Sequence, residues 1–334
     1  MQHLRYTAGD ASTRDQPTIA RSKTRGEGVK QPTQMRILTA TSGATINYCL
    51  FPRSILAAAL FILGLHTAGA PARSQSISVT PDRLVLKSRV LGDERVVFVR
   101  TPPEYKKSSN DYPVLYLLDG DVHFLHTAGT IEFLARNMRM PEMIVVGIPH
   151  VDRNHDLTPT RGSIPRMEGK TEFFPTSGGG PGFLKFIEDE LIPFIEVHYR
   201  TESLRILAGH SFGGLFAVYT LLTRPALFDG YIAVSPSLQW DNQVLLKQAK
   251  EVFSQGRRGH NRLYLALGNE PGPILPAFDL FIKLLADHKP NGLVWQTLRL
   301  PEEDHGSVVL RSHYSALKWH FADWQRNRKS RKTQ

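Results

Sequence analysis

The chain has 334 residues, a single cysteine and a formal net charge of +10. Its length suits about one or two domains, and 41% hydrophobic with 22% charged residues exclude a disordered polymer. The lone Cys49 excludes a disulfide scaffold and any zinc site built from several cysteines.

The positive charge lies at the ends. Residues 1–74 hold nine Lys/Arg against three Asp/Glu, and residues 326–334 hold five Lys/Arg and no acid. Residues 75–325 therefore carry −1. Gripping a nucleic-acid backbone needs an excess of Lys and Arg on the folded body, so no nucleic-acid partner is expected.

In chain order, residues 1–34 are polar, with Tyr6 their one aromatic residue. Met35 and Arg36 then open a short path to an apolar run at 55–65, which Arg53 precedes and Ala72-Arg73-Ser74 follows. A positive flank, a short apolar run and an Ala-x-Ser exit predict a secretory signal peptide, cleaved near Ser74/Gln75, with translation starting at Met35. Eleven apolar residues are too few for a spanning helix, which needs about 20. A buried core helix and an uncleaved membrane-proximal anchor are the alternatives. The expected organisation is an N-terminal extension over 1–74, one folded domain over 75–325 and a basic, solvated tail over 326–334. The expected location is periplasmic or secreted, with no stable membrane span after cleavage.

From residue 75 onward, strands and helices alternate. Strands are predicted at 83–87, 95–100, 114–118, 143–147, 204–208, 231–235, 262–267 and 293–300. The middle ones are short continuous apolar runs, as in parallel strands buried on both faces. Helices are predicted at 126–137, 182–198, 212–223, 243–254, 276–286 and 308–324. This order predicts an α/β protein with a mostly parallel central sheet and helices on both faces. The first two strands, joined by Leu91-Gly92-Asp93-Glu94 without a helix, form an antiparallel hairpin at one edge. Residues 158–182 form a long aperiodic loop, the kind that is usually functional.

Gly209-His210-Ser211-Phe212-Gly213-Gly214 follows one predicted strand and opens the next helix. Gly-x-Ser-x-Gly in that context is the nucleophile elbow of the α/β-hydrolase fold. The serine sits on a strained turn that projects its hydroxyl above the sheet, and Gly209 and Gly213 let the strand and helix approach. The alternative is a plain helix-start turn. A serine hydroxyl needs a base, and the partners follow in the order serine, acid, histidine. His305, one of 13 histidines, lies between the last predicted strand and the last predicted helix. Glu270 follows the preceding strand and would orient that ring; Glu302, Glu303 and Asp304 crowd His305 as alternatives. An oxyanion hole needs two backbone N–H donors. Phe212 would supply one, and Asp121, placed by a turn at Gly120, the other. Two clusters, Asp119/Asp121/His123/His126 and His150/Asp152/His155/Asp156, lack the His-Glu-x-x-His spacing of a helical metal site. No metal and no cofactor is expected.

These residues, with Tyr116–Asp121, Asp156–Pro159, Ser235–Trp240 and Asp304–Val308, resemble the esterase D family of serine esterases over about residues 76–324. Its periplasmic siderophore-esterase branch is the most similar. The resemblance implies Ser211 as nucleophile, His305 as base, Glu270 at the acid position, the Asp121 and Phe212 amides as oxyanion donors, and Trp240 and His210 near the substrate. His155 stands where relatives often have an arginine, which sets recognition of an anionic substrate apart from the rest. The implied reaction is cleavage of a small-molecule carboxylic ester, of siderophore-lactone or short-acyl type. Acyl transfer or thioester cleavage on the same machinery is the alternative, and a non-catalytic binding module a remoter one. Oligomeric state is not legible.

Overall fold

The structure, a computed structural model, describes residues 80–332 except 167–168 and 256–259. The chain divides into two units at Ser74/Gln75, and every described residue belongs to the second, 75–334. The signal peptide, the start at Met35 and the anchor all fall outside the described residues.

The first elements are β1 (Asp82–Lys87), β2 (Glu94–Arg100), β3 (Tyr112–Leu118), α1 (Gly120–Arg136) and β4 (Ile144–Ile148). There follow α2 (Arg153–Leu157), the short β5 (Ser163–Pro165) and β6 (Thr171–Phe173), α3 (Gly180–Phe186), a π turn (Ile187–Leu191) and α4 (Ile192–His198). Then come β7 (Thr201–His210), α5 (Phe212–Thr223), β8 (Gly230–Val234), α6 (Trp240–Ser254), β9 (Asn261–Leu267), α7 (Ile274–His288), β10 (Leu293–Arg299), α8 (Val308–His320) and α9 (Ala322–Lys332).

Eight strands form one sheet in the order β1-β2-β4-β3-β7-β8-β9-β10. β1 pairs antiparallel with β2, and β2 antiparallel with β4; every later pairing is parallel. With the small β5–β6 hairpin set aside, this is the strand order of the α/β-hydrolase fold, closed at one edge by the expected hairpin. The two faces explain the continuous apolar runs. On β3, Val114, Tyr116 and Leu118 enter one core layer with Phe183, Phe216 and Trp240. Leu115 and Leu117 enter the opposite layer with Phe124, Ile206 and Leu317. Alternate residues thus bury on opposite sides of one sheet, which only apolar residues at every position allow.

Four local features differ from the sequence reading. α1 begins at Gly120, six residues before the expected start at 126, so Asp121 lies in a helical first turn. The predicted 182–198 helix is interrupted by the π turn at Ile187–Leu191, just before the α4 turn that holds Pro193, whose missing N–H cannot continue the α-helical ladder. The 158–182 segment contains the β5–β6 hairpin. Residues 322–332, read as the end of one helix and a tail, are the separate helix α9. Among the described residues, no helix is long and apolar enough to cross a membrane.

Candidate active site

Ser211 joins β7 to α5 with φ 58° and ψ −114°, a region that L-residues other than glycine avoid. The turn is held on both sides: Ser211 N–H donates to Val234 O at 2.9 Å, and Ser237 N–H donates to Ser211 O at 3.2 Å. A Cβ on Gly209 would run into the Gly213 backbone. A Cβ on Gly214 would lie 2.9 Å from Val234 O, a constraint the sequence reading did not assign. The Ser211 hydroxyl is turned toward Ser237 Oγ, at 3.4 Å.

Glu270 follows β9 and His305 follows β10, the last two strands of the sheet. Both carboxylate oxygens of Glu270 lie 2.9 Å from His305 Nδ1. The Glu270 side chain is 3% exposed and the His305 ring 41%. Burial alone would raise the Glu270 carboxyl; the bond and charge of the His305 ring outweigh it and hold Glu270 below the ordinary range. The two segments are stitched together. Asn269 N–H donates to Glu303 O at 2.6 Å, and a Cβ on Gly268 would sit 2.7 Å from the same carbonyl. The three other acids near His305 have separate work. Asp304 Oδ1 accepts Gly306 and Ser307 N–H at 2.9 and 2.8 Å, closing the turn. Glu302 and Glu303 both pair with Arg311.

The N–H groups of Asp121 and Phe212 stand in the first turns of α1 and α5, which leave adjacent parallel strands, β3 and β7. Neither has an acceptor among the described residues. The turn into α1 is made by Asp119, with φ 53° and ψ 46°, and not by Gly120. Gly120 serves close packing: its Cβ would lie 2.6 Å from Gly147 C in β4. Asp119 is 4% exposed and is bound at both oxygens by Arg153, whose Nε donates at 2.6 Å and Nη2 at 2.9 Å. Arg153 did not stand out in the sequence, since a surface arginine has no motif of its own.

His210 is buried against His305, with ring centroids 4.6 Å apart, and against His123, at 5.5 Å. His126 and His313 continue the cluster, 5.9 Å apart. Burial, and then the neighbouring rings, push His210 down to about 3 and His126 to about 4. His313, whose Nδ1 lies 2.9 Å from Thr127 Oγ1, is also held well below its ordinary value by burial. Buried His123 Nδ1, His126 Nε2, His210 Nε2 and His313 Nε2 have no protein partner, as suits neutral rings with a bare lone pair. His210 thus meets the site through the His305 ring.

Trp240 is the clearest departure. It is 0% exposed, so in this structure its ring has no face to offer a substrate. It anchors the 158–182 loop from below: Nε1 donates to Thr160 Oγ1 at 3.1 Å, and the ring packs on Phe174 and Phe212 at 5.5 and 5.3 Å.

The two acid–histidine clusters serve structure. Asp119 pairs with Arg153 and Asp156 with Arg95, while His150 lies between them, 3.6 Å from Asp119 Oδ1 and 3.4 Å from Asp156 Oδ2. Asp152 caps α2 by accepting His155 N–H at 3.0 Å. His155 packs its ring against Gly179. Among the described residues, no group of three His, Cys, Asp or Glu side chains is placed to hold a metal ion.

Comparison with known proteins gives concordant matches. The chain is 36% identical over 173 residues to the ferri-bacillibactin esterase BesA of Bacillus subtilis, covering 47% of this chain and 58% of that one. It is 36% identical over 167 residues to the siderophore enterobactin esterase of Emericella nidulans, covering 44% of this chain and 52% of that one. The matches thus span about half the length of these curated relatives. Among solved structures, an IroE-like serine hydrolase from Shewanella oneidensis superposes with a TM-score of 0.69 at 34% identity, covering 73% of this chain and 80% of that one. The model of the Esterase family, described as "Putative esterase", matches residues 88–278, more than half of the chain. The strand order, the serine elbow and these matches together make the chain a member of that esterase family.

Proposed function

We propose that the protein hydrolyses carboxylic esters through an acyl-enzyme on Ser211. The observation that carries this reading is the Glu270–His305 pair at 2.9 Å, whose ring lies 4.6 Å from that of His210, the residue before a serine whose backbone is held at φ 58°. In this reading the Ser211 hydroxyl, which faces Ser237 in the structure, turns to His305 when substrate binds. The oxygen attacks the ester carbonyl and its proton passes to His305 Nε2. Glu270 keeps the other ring nitrogen protonated and balances the charge of the imidazolium. The N–H groups of Phe212 and Asp121 receive the oxyanion as it forms. Collapse expels the alcohol, which takes the proton from His305. Water then gives a proton to the same ring as its oxygen attacks the acyl carbonyl, and collapse releases the acid while His305 returns that proton to the Ser211 oxygen.

The substrate class we infer is a siderophore-type lactone or another small ester. Its support is the match to two named siderophore esterases at 36% identity. We further propose a periplasmic or secreted protein, on the apolar run at 55–65 and its Ala72-Arg73-Ser74 exit. N-terminal sequencing of the exported product should begin near Gln75; a mature chain that keeps residues 1–74 contradicts it.

The function is tested with a panel holding a catecholate trilactone, short p-nitrophenyl esters and a matched thioester. The oxygen esters should turn over, and Ser211→Ala should lose on the order of 10³-fold or more. A Ser211→Ala protein that keeps a tenth of the rate contradicts the assignment. Preference for the thioester, or transfer to an added alcohol in place of hydrolysis, contradicts the reaction type.

A further inference from the structure

We propose that Arg153 is the positioning residue of the oxyanion hole: one guanidinium that ties together the ends of the two strands presenting the two N–H donors. The proposal rests on the hydrolase reading above and adds a residue to it.

The two donors belong to different helices, so nothing in either helix alone fixes the distance between them. Asp121 N–H is set by the left-handed turn at Asp119. Phe212 N–H is set by the elbow that starts at His210. Arg153 reaches both. Its Nε and Nη2 donate to the two carboxylate oxygens of Asp119 at 2.6 and 2.9 Å. The same Nη2 donates to the backbone carbonyl of His210, the residue before Ser211, at 3.2 Å. The guanidinium carbon lies 5.4 Å from the centre of the Phe212 ring. A flat group with fixed N–H directions can span these points at once, whereas an ammonium on a flexible stem cannot.

The anchoring partner is itself locked. Asp119 is 4% exposed, its N–H donates to His150 Nε2 at 3.3 Å, and its carboxylate presses on the elbow, with Oδ2 3.2 Å from where a Cβ of Gly213 would sit. Burial would raise this carboxyl, but the Arg153 bond and charge, helped by His150, hold it below its ordinary value. The Asp119–Arg153 pair is thus ionised and bidentate, the geometry that fixes position as well as distance. The Arg153 side chain is 38% exposed, so a role in binding an anionic ester is the competing reading.

The test compares Arg153→Met and Arg153→Lys with the unaltered chain on a neutral and an anionic ester of equal size. Displacing one donor by about 1 Å costs on the order of 10²-fold. Arg153→Met should therefore lose about that much in kcat with KM nearly unchanged, equally for both esters, and Arg153→Lys should recover little. Inhibition by an arylboronic acid, which places an oxygen in the hole, should weaken in parallel. Arg153→Gly should regain part of its rate when guanidinium is added below denaturing concentration. Circular dichroism verifies that each variant is folded. A loss confined to KM and to the anionic ester would make Arg153 a substrate-binding residue and overturn the proposal, as would an Arg153→Met kcat within two-fold of normal. Ser211→Ala is assayed alongside: activity surviving there defeats the parent reading, whereas activity lost there but kept in Arg153→Met defeats this one alone.

Discussion

Ser211 occupies a backbone conformation that costs a serine on the order of 1–3 kcal/mol, and the surrounding bonds to Val234 and Ser237 hold it there. Glycine adopts the same angles freely. Ser211→Gly should therefore abolish turnover while raising thermal stability by about 2–4 °C per kcal/mol released, read by differential scanning calorimetry; an unchanged or lower Tm would show that the turn is not strained. At Glu270 the substitution Glu270→Gln keeps the shape but loses the charge and the tautomer control, and kcat should fall by up to about 10⁴-fold. Loss below ten-fold would leave His305 working without its acid. Glu270 was legible in the sequence because it follows an unmistakable apolar strand. Trp240 was not, because a tryptophan near an elbow reads the same whether its ring faces the cleft or, as found, supports the loop from within the core.

Between elements, close approach decides what the elbow tolerates. A methyl at Gly209 would drive β7 and α5 apart, and Gly209→Ala should cost about 2 kcal/mol or more, as a buried collision does. Gly129, on α1, is the matched comparison: its added methyl meets nothing within 4 Å, and alanine favours the helix by about 1 kcal/mol. Thermal melts should move in opposite directions for the two variants. Equal shifts would refute the steric account of Gly209. The same balance of signals governed what the sequence disclosed. All eight strands of the main sheet were readable: β3, β4, β8 and β9 because burial on both faces forces uninterrupted apolar runs, and β1, β2 and β10, more exposed at the edges, through their β-branched and aromatic residues. The β5–β6 hairpin was not: its strands have three residues each and are mostly exposed, so no periodicity develops. The start of α1 was missed because Asp119-Gly120-Asp121 reads as a turn, and in the structure Asp119 does make the turn while Gly120 already belongs to the helix.

On the scale of the molecule, charge and pH matter through what is buried. The +10 of the full chain resides mainly in segments flanking a nearly neutral body, so it carries little information about the catalytic cleft. Buried histidines carry more. His320 is pushed down to about 3 by burial, with His210 near 3 and His126 near 4. Each binds a proton more weakly folded than unfolded, where its ordinary value is near 6.5. Their contribution is therefore complete above about pH 6.5 and is lost as pH falls toward 3–4. Each fully linked ring contributes a slope of about 1.4 kcal/mol per pH unit. Tm should fall steadily from pH 6.5 to 4, and His320→Gln, although less stable at neutral pH, should show a shallower fall. A parallel fall in both proteins would remove His320 from the account.

The claim on which the rest depends is that Ser211 becomes acylated. Intact-mass and peptide-mass measurements after a rapid acid quench with a p-nitrophenyl ester test it most directly. The protein should gain one acyl group on the peptide carrying Ser211, lose it on further incubation, and gain none as Ser211→Ala. Full turnover with no adduct in a quenched steady state, or an adduct on another residue that Ser211→Ala leaves intact, would contradict it.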